Sequence, residues 1–186
     1  MANVLLFHSV LGLRRAEHEI AAEFQADGHT VALPDLYDGR STQFYPEGFE
    51  IKDAIGDAAI EARAREAVAA APEDAVLAGV SYGAYLIGPF WGDRPKMRGA
   101  LLFAGVAPWM TPRRKDMRVS VHVAQPDPYD DEAFFAEWVA DAGGVPLEMH
   151  RYAGAGHYFL DRSLPDFNAE AAALCLERAR AFLGGL

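Results

Sequence analysis

The sequence predicts a three-layer α/β/α fold built around a mostly parallel, six-stranded, doubly wound sheet. Short apolar runs alternate with longer amphipathic stretches along the 186 residues. Most of the short runs are continuously apolar, which is typical of strands that are buried on both faces of a parallel sheet. Alternation of this kind indicates right-handed strand–helix–strand units with helices on both faces of the sheet.

Six runs are predicted as strands and five stretches as helices. The strands are Val4–Phe7, Thr30–Leu33, Ala75–Gly79, Ala100–Phe103, Val119–Ala124 and Leu147–Tyr152. The helices are Leu13–Ala26, Ile51–Ala71, Tyr82–Phe90, Asp131–Ala142 and Asn168–Leu183. In Leu13–Ala26 and Ile51–Ala71 the apolar residues recur mostly at spacings of three and four, which places them on one helix face. The stretch Asp35–Gly48 is predicted to be irregular.

Length and composition predict a single domain over residues 1–186. The chain has 17 basic and 27 acidic side chains, a formal net charge of −10, which argues against a nucleic-acid partner. No apolar run is long enough for a secretory leader or a membrane span, so we expect a cytoplasmic protein without a membrane partner. Cys175 is the one cysteine, so no internal disulfide can form.

The segment Gly79–Gly83 reads Gly-Val-Ser-Tyr-Gly and matches the pattern G-x-S-x-G. In this pattern a serine lies on a tight turn between a strand and a helix, and the glycines admit the crowded backbone. A buried strand is predicted before the motif and a packed helix start after it. The motif therefore predicts Ser81 as a nucleophile; the alternative is a plain turn whose serine caps a helix.

A serine hydroxyl becomes a good nucleophile when a histidine takes its proton and a carboxylate orients that histidine. His157 follows the last predicted strand in a glycine-rich loop, and Asp127 follows the strand before it. The order Ser, Asp, His is the order that this kind of strand–turn–helix serine requires. Asp130 and Asp131 are rivals for the acid, although they fit better as residues that begin the next helix.

An ester-cleaving site also needs N–H donors for the developing oxyanion and side chains that hold the substrate. The backbone N–H groups of Tyr82 and Val10 are the predicted donors. Aromatic residues at the carboxyl edge of the sheet are candidates for the pocket walls, and two arginines are candidates for contacting a substrate carboxylate. His8, which ends the first strand, has a substrate role and a structural role as equal alternatives. The substrate-binding candidates are His8, Ser9, Tyr37, Arg40, Trp109, Tyr158 and Arg162.

Patterns for metals and nucleotides are missing from the sequence. There is no H-E-x-x-H, no cysteine pair, no G-x-G-x-x-G after the first strand and no G-x-x-x-x-G-K-[ST]. We therefore expect neither a metal nor a cofactor, and a small molecule as the partner. The sequence does not specify an oligomeric state.

Several segments together resemble the dienelactone hydrolase family. They are His8–Gly12, the run Pro34-Asp35-Leu36-Tyr37, Gly79–Gly83, the strand leading to Asp127, and Ala155-Gly156-His157-Tyr158-Phe159. The resemblance implies an α/β-hydrolase fold without a cap domain, an open cleft and no cofactor. It also implies Ser81, Asp127 and His157 as the catalytic triad.

Three positions depart from the family's best-known members. Those members carry a cysteine at the position of Ser81, a glutamate at that of Ser9, and an arginine at that of Asp161, next to Arg162. The glutamate is tied to converting the cysteine to its thiolate, which a serine does not need, so the first two changes agree with each other. Together the three changes favour an ester other than dienelactone.

The sequence thus predicts a serine hydrolase that cleaves a small carboxylic ester or lactone through an acyl-Ser81 intermediate. One alternative is a non-catalytic module that binds a ligand or a partner on the same fold. The other is an acyltransferase that passes the acyl group to an acceptor other than water.

Overall fold

A computed structural model describes residues 1–111 and 113–186. The strands are β1 (Asn3–Phe7), β2 (Thr30–Ala32), β3 (Val76–Val80), β4 (Gly99–Phe103), β5 (Arg118–Gln125) and β6 (Leu147–Ala153). The helices are α1 (Arg15–Ala26), α2 (Tyr45–Ile55), α3 (Asp57–Ala70), α4 (Tyr82–Tyr85), α5 (Phe90–Asp93), α6 (Glu132–Ala140) and α7 (Ala169–Gly184).

The strands form one sheet in the order β2-β1-β3-β4-β5-β6, and every neighbouring pair is parallel. The chain first builds outward from β1 to β2, then crosses back to β3 and continues to the other edge. The strand order therefore reverses between β1 and β3, and open sheets of this kind bind ligands beyond the carboxyl ends of the strands at such a point.

Helices cover both faces of the sheet, and alternate residues of one strand face opposite layers. On β1, Val4 and Leu6 belong to the core layer that contains residues of α1 and α7, whereas Leu5 and Phe7 belong to the layer that contains residues of α3 and α6. The central strands β1, β3, β4 and β5 are almost entirely buried, whereas the edge strands β2 and β6 are partly exposed. The predicted three-layer, doubly wound fold is confirmed.

The prediction of one helix over Ile51–Ala71 is wrong, because the helical conformation is interrupted at Gly56. Gly56 has φ of +85°, a conformation that glycine adopts without a side-chain clash, and it ends α2 and precedes α3. Helix α2 also begins at Tyr45, inside the stretch that was expected to be irregular. Pro46 lies in the first turn of α2. The N–H groups of a first turn have no acceptor within the helix, so a proline, which has no N–H, costs no hydrogen bond there.

The prediction of one helix over Tyr82–Phe90 is also wrong. Helix α4 ends at Tyr85, turns follow, and α5 begins at Phe90. Pro89 has no N–H to donate to Tyr85 and disfavours a helical conformation at the residue before it, so a continuous helix cannot run through it. Among the described residues, no helix has the length and apolar character needed to cross a membrane.

Candidate active site

Ser81 directly follows β3 on a strained turn at the carboxyl edge of the sheet. Its φ of +52° and ψ of −113° are rare for a residue with a side chain, and such strain concentrates at functional sites. The two glycines of the motif make the turn possible. A Cβ on Gly79 would lie 2.3 Å from the carbonyl oxygen of Gly83, and a Cβ on Gly83 would lie 2.5 Å from that of Phe7.

His157 lies in the loop after β6 and points at the serine. Its Nε2 lies 2.9 Å from Ser81 Oγ, and the residue is 5% exposed. Tight packing beneath the loop fixes its path, since a Cβ on Gly156 would lie 2.6 Å from the Cα of Asp166. Asp166 also accepts a hydrogen bond from the Tyr158 N–H at 3.1 Å.

Asp127 follows β5, which is the strand next to β6, and it contacts the far side of the imidazole. Its two carboxylate oxygens lie 2.8 and 3.1 Å from Nδ1 of His157. Because an ionised carboxylate can only accept, Nδ1 carries the proton and donates it, which leaves Nε2 free to accept from the Ser81 hydroxyl. The three side chains thus form one continuous hydrogen-bonded chain.

Opposing effects act on the carboxyl of Asp127. Burial favours its protonated form, but the hydrogen bond and charge of His157 and the N–H groups of Tyr129 and Asp130 outweigh burial and lower the pKa of Asp127 below its ordinary value. The two rival acids lie elsewhere. Asp131 is the N-cap of α6 and accepts from the Phe134 N–H at 2.7 Å, whereas Asp130 lines the cleft beside the imidazole.

The predicted oxyanion donors are the backbone N–H groups of Val10 and Tyr82. Val10 follows β1, Tyr82 follows Ser81, and both residues line the cleft that contains the serine. Within residues 1–111 and 113–186, neither N–H donates to a protein acceptor. Both N–H groups are therefore without a protein partner among the described residues.

Ser81 and His157 open onto a cleft of about 300 Å³. A volume near this lies at the lower end of the range for small-molecule sites. Aromatic side chains dominate the walls. The lining residues are Val10, Tyr45, Phe49, Ser81, Tyr82, Tyr85, Ala104, Gly105, Val106, Tyr129, Asp130, Phe134 and His157.

His8 and Ser9 are not part of the cleft lining, because both side chains are buried. Of the two alternatives for His8, the structure therefore favours the structural role, and the expected substrate contact of Ser9 is wrong. His8 Nε2 accepts from the Leu36 N–H at 3.0 Å, and its Nδ1 lies 2.7 Å from the Ser9 carbonyl. The Ser9 hydroxyl accepts from the Leu11 N–H at 3.3 Å. Both residues hold the turn that presents the Val10 N–H.

Three aromatic candidates lie outside the cleft: Tyr37 and Tyr158 are buried, and Trp109 is partly buried. Tyr37 is 0% exposed and packs edge-on against His8. Trp109 stacks on Trp138 and donates its indole N–H to the Trp138 carbonyl at 2.7 Å. Tyr158 is buried, because its side chain points away from His157 toward the start of α1.

The two arginine candidates also lie outside the cleft. Arg40 Nε donates to the Tyr37 carbonyl at 3.3 Å, so this side chain folds back on its own loop. Arg162 Nε lies 3.8 Å from Glu19, and its guanidinium stands over the ring of Phe167. Neither arginine is placed to contact a substrate carboxylate next to Ser81.

Sequence reasoning missed five of the cleft's aromatic walls. Tyr45 and Phe49 come from α2, Tyr85 from α4, and Tyr129 and Phe134 from the loop and helix that follow Asp127. Pro46 could have indicated α2, because a proline is common in the first turn of a helix. It lies within Asp35–Gly48, the stretch that the sequence predicts to be irregular. Tyr129 and Phe134 could have been found from their place around the predicted acid.

A serine at a strand–turn–helix elbow, followed in the chain by an acid and a histidine on a parallel sheet, defines the α/β-hydrolase class. The chain belongs to the dienelactone hydrolase family, whose family model matches residues 1–186. It is accordingly a hydrolase. A comparison with curated proteins gave no match.

Solved structures share this fold at low sequence identity. A dienelactone hydrolase-like promiscuous phosphotriesterase from metagenomic libraries has a TM-score of 0.80 and 20% identity, with 100% of this chain and 87% of that chain covered. A candidate dienelactone hydrolase from Klebsiella pneumoniae has a TM-score of 0.76 and 15% identity, with 100% and 88% covered. A candidate α/β-superfamily hydrolase from Xanthomonas campestris has a TM-score of 0.62 and 19% identity, with 100% of both chains covered.

Proposed function

We propose that the protein hydrolyses small carboxylic esters or lactones through an acyl intermediate on Ser81. The observation that carries this proposal is the hydrogen-bonded chain from Ser81 through His157 to Asp127, which opens onto the aromatic cleft. Membership of the dienelactone hydrolase family supports the same reaction class.

In the first half of the reaction, His157 Nε2 takes the Ser81 proton as Oγ bonds to the ester carbonyl carbon. The carbonyl π electrons move onto the oxygen, where the N–H groups of Val10 and Tyr82 stabilise the negative charge. When the intermediate collapses, the carbon–oxygen bond to the alcohol breaks. The leaving alkoxide takes the proton from His157 and departs as the alcohol.

In the second half, water replaces the alcohol. His157 takes a proton from the water as its oxygen bonds to the acyl carbon, and collapse breaks the bond to Ser81 Oγ. The serine regains its proton from His157 and the carboxylic acid leaves. Throughout both halves, Asp127 keeps the proton on Nδ1 and stabilises the positive imidazole, but does not itself take up a proton.

A fluorophosphonate probe tests whether Ser81 is an activated nucleophile. We expect the folded protein to take up one probe per chain, and Ser81→Ala to take up none while losing about 10³-fold or more of the activity on p-nitrophenyl acetate. Ser41→Ala is the matched control, because Ser41 is exposed and lies outside the cleft. Equal labelling of Ser81→Ala and the parent protein contradicts the proposal.

Product analysis separates hydrolysis from the alternatives. We expect the free carboxylic acid as the main product even when a competing alcohol is present. Water can reach the acyl group without a binding site of its own, whereas an acceptor alcohol would need one. A dominant transesterified product indicates acyl transfer instead. Tight binding of esters with no turnover indicates a binding module.

A further inference from the structure

The cleft presents an aromatic surface to solvent around Ser81. Phe49, Tyr85, Tyr129 and Phe134 each line the cleft with 41 to 55% of their surface exposed. Exposed aromatic side chains that are grouped in this way mark a binding surface, because leaving them in water is unfavourable. The surface they form has few polar groups to replace the hydration of a charged substrate.

Asp130 is the one carboxylate in this lining, and neither a lysine nor an arginine accompanies it among the described residues. Its carboxylate is half-buried and forms no ion pair within the described parts of the chain. Burial, and then the negative charge of Asp127, raise the pKa of Asp130 above its ordinary value, although the charge of His157 acts in the opposite direction. Burial and a neighbouring like charge both disfavour the ionised form of a carboxyl group.

Lys52 lies against one residue of the cleft wall, and its charge is already paired. Its ammonium lies over the Tyr82 ring at 5.5 Å from the centroid. It forms ion pairs with Asp57 at 2.6 Å and Asp53 at 3.4 Å. Two carboxylates therefore face one ammonium, and this cluster offers a substrate anion no net attraction.

We infer that the cleft selects uncharged, apolar esters and rejects anionic ones, and that Asp130 is the side chain that sets this preference. This inference rests on the proposed function, because it names the substrate class of the same site. A carboxylate near the scissile bond meets Asp130 in a partly desolvated cleft, where like charges repel more strongly than in water. An uncharged aromatic or aliphatic group meets the aromatic walls instead.

The test uses two esters that differ in one charge, 4-acetoxybenzoate and its methyl ester, assayed at pH 8 and constant salt. Each kcat/KM is divided by the rate constant for hydroxide-catalysed hydrolysis of the same ester. We expect the parent protein to favour the neutral ester by about tenfold or more, and Asp130→Asn to shrink this ratio at least about threefold. Glu50→Gln is the matched control, because it removes one negative charge from α2 outside the cleft, and it should leave the ratio unchanged.

Binding to Ser81→Ala separates this inference from the proposed function, because it needs no turnover. The two ligands are the corresponding ketones, 4-acetylbenzoate and its methyl ester, measured by calorimetry. We expect the neutral ketone to bind about tenfold more tightly, and the double variant with Asp130→Asn to lose most of that difference. If neither ester is hydrolysed but this difference holds, the proposed function fails and the charge preference stands.

Two results overturn the inference while the proposed function stands. One is hydrolysis of both esters with equal or anion-favouring ratios in the parent protein. The other is a neutral preference that Asp130→Asn leaves intact, or that Glu50→Gln reduces equally, because the preference then belongs to the overall charge of the chain.

Discussion

The hydroxyl of Tyr45 donates a hydrogen bond to Asp166 Oδ2 at 2.7 Å, and the same oxygen accepts from the N–H of Tyr158 at 3.1 Å. Tyr45 belongs to the wall of the cleft, whereas Tyr158 follows His157 in the chain. Burial, and then the bond to Asp166, raise the pKa of Tyr45, so the phenol stays protonated and keeps donating. One carboxylate thus ties the cleft wall to the loop that carries the proposed base.

We expect Tyr45→Phe to lower kcat about three- to tenfold while KM stays within about twofold. The aromatic ring remains in the cleft wall, but the hydrogen bond that links it through Asp166 to the loop of His157 is lost. The free energy of unfolding should fall by only about 1 kcal/mol, the usual worth of one hydrogen bond. Tyr85→Phe is the control, since Tyr85 lines the same cleft with its ring exposed. Equal kcat values for the two variants contradict a positioning role for Tyr45.

Gly83 sets how closely the serine turn approaches β1. Its missing side chain leaves room for the carbonyls of Phe7 and His8, at 2.5 and 2.6 Å from where a Cβ would stand. Gly83→Ala must push Ser81 away from the Val10 turn, so we expect a loss of about 1–3 kcal/mol in stability and at least about tenfold in kcat/KM. Thermal unfolding and steady-state kinetics measure the two effects.

Gly92→Ala is the control for that substitution. A Cβ on Gly92 meets nothing within 4 Å, and the residue lies in α5. Alanine there should leave activity unchanged and stability equal or slightly higher, because glycine is the poorer helix former. If Gly83→Ala behaves like Gly92→Ala, the close approach has no functional consequence.

The stabilising contribution of the ionised Asp127 should be lost as the solution becomes acidic. Its pKa is lowered in the folded state, so its ionised form stabilises the fold above the ordinary titration range of an aspartate, about 3.9. That contribution is lost as the pH falls below this range and the carboxylate takes up a proton. We therefore expect Asp127→Asn to show a smaller drop in unfolding free energy between pH 5 and pH 3 than the parent protein does, by denaturant titration.

The same variant should be almost inactive. An amide at this position cannot hold the proton on Nδ1 as a carboxylate does, and we expect kcat to fall about 10³- to 10⁴-fold with the fold intact. An Asp127→Asn protein with near-normal kcat shows that another group orients His157, and Asp130 is then the first to test.

Tyr158 should affect stability rather than substrate binding. Its hydroxyl donates to Glu17 Oε1 at 2.9 Å, and Glu17, which also accepts the Arg14 N–H at 3.0 Å, is 0% exposed. Burial raises the pKa of Glu17 in spite of these bonds. Tyr158→Phe removes one donor from a buried carboxyl, so we expect a loss of about 1–3 kcal/mol, or several degrees in Tm, with KM unchanged. A large change in KM restores Tyr158 as a substrate contact.

The strands, and the positions of Ser81, Asp127 and His157 at the ends of strands, could be predicted because short stretches of sequence specify them. A continuous apolar run predicts a buried strand, and G-x-S-x-G requires a tight turn, so Ser81 has one place in such a sheet. Residues that leave neighbouring parallel strands meet at one edge. The sheet order therefore brought together Asp127 and His157, which are 30 positions apart in the chain.

The cleft walls could not be predicted in the same way. A position at the carboxyl edge of the sheet determines where the backbone of a residue lies but not which way its side chain points. Tyr37 is buried in the core, whereas Tyr129 lines the cleft. The break at Gly56 was hidden by apolar spacing that continues across it, although glycine with positive φ commonly ends a helix. Phe49 lines the cleft from α2, the helix that this break separates from α3.

The most direct test of the account is the intact mass of the protein during turnover of a slow ester. Rapid acid quenching should trap the parent protein with one added acyl group, peptide mapping should place that group on Ser81, and Ser81→Ala should stay unmodified. Turnover with no acylated protein at any time, or an acyl group on another residue, contradicts the account.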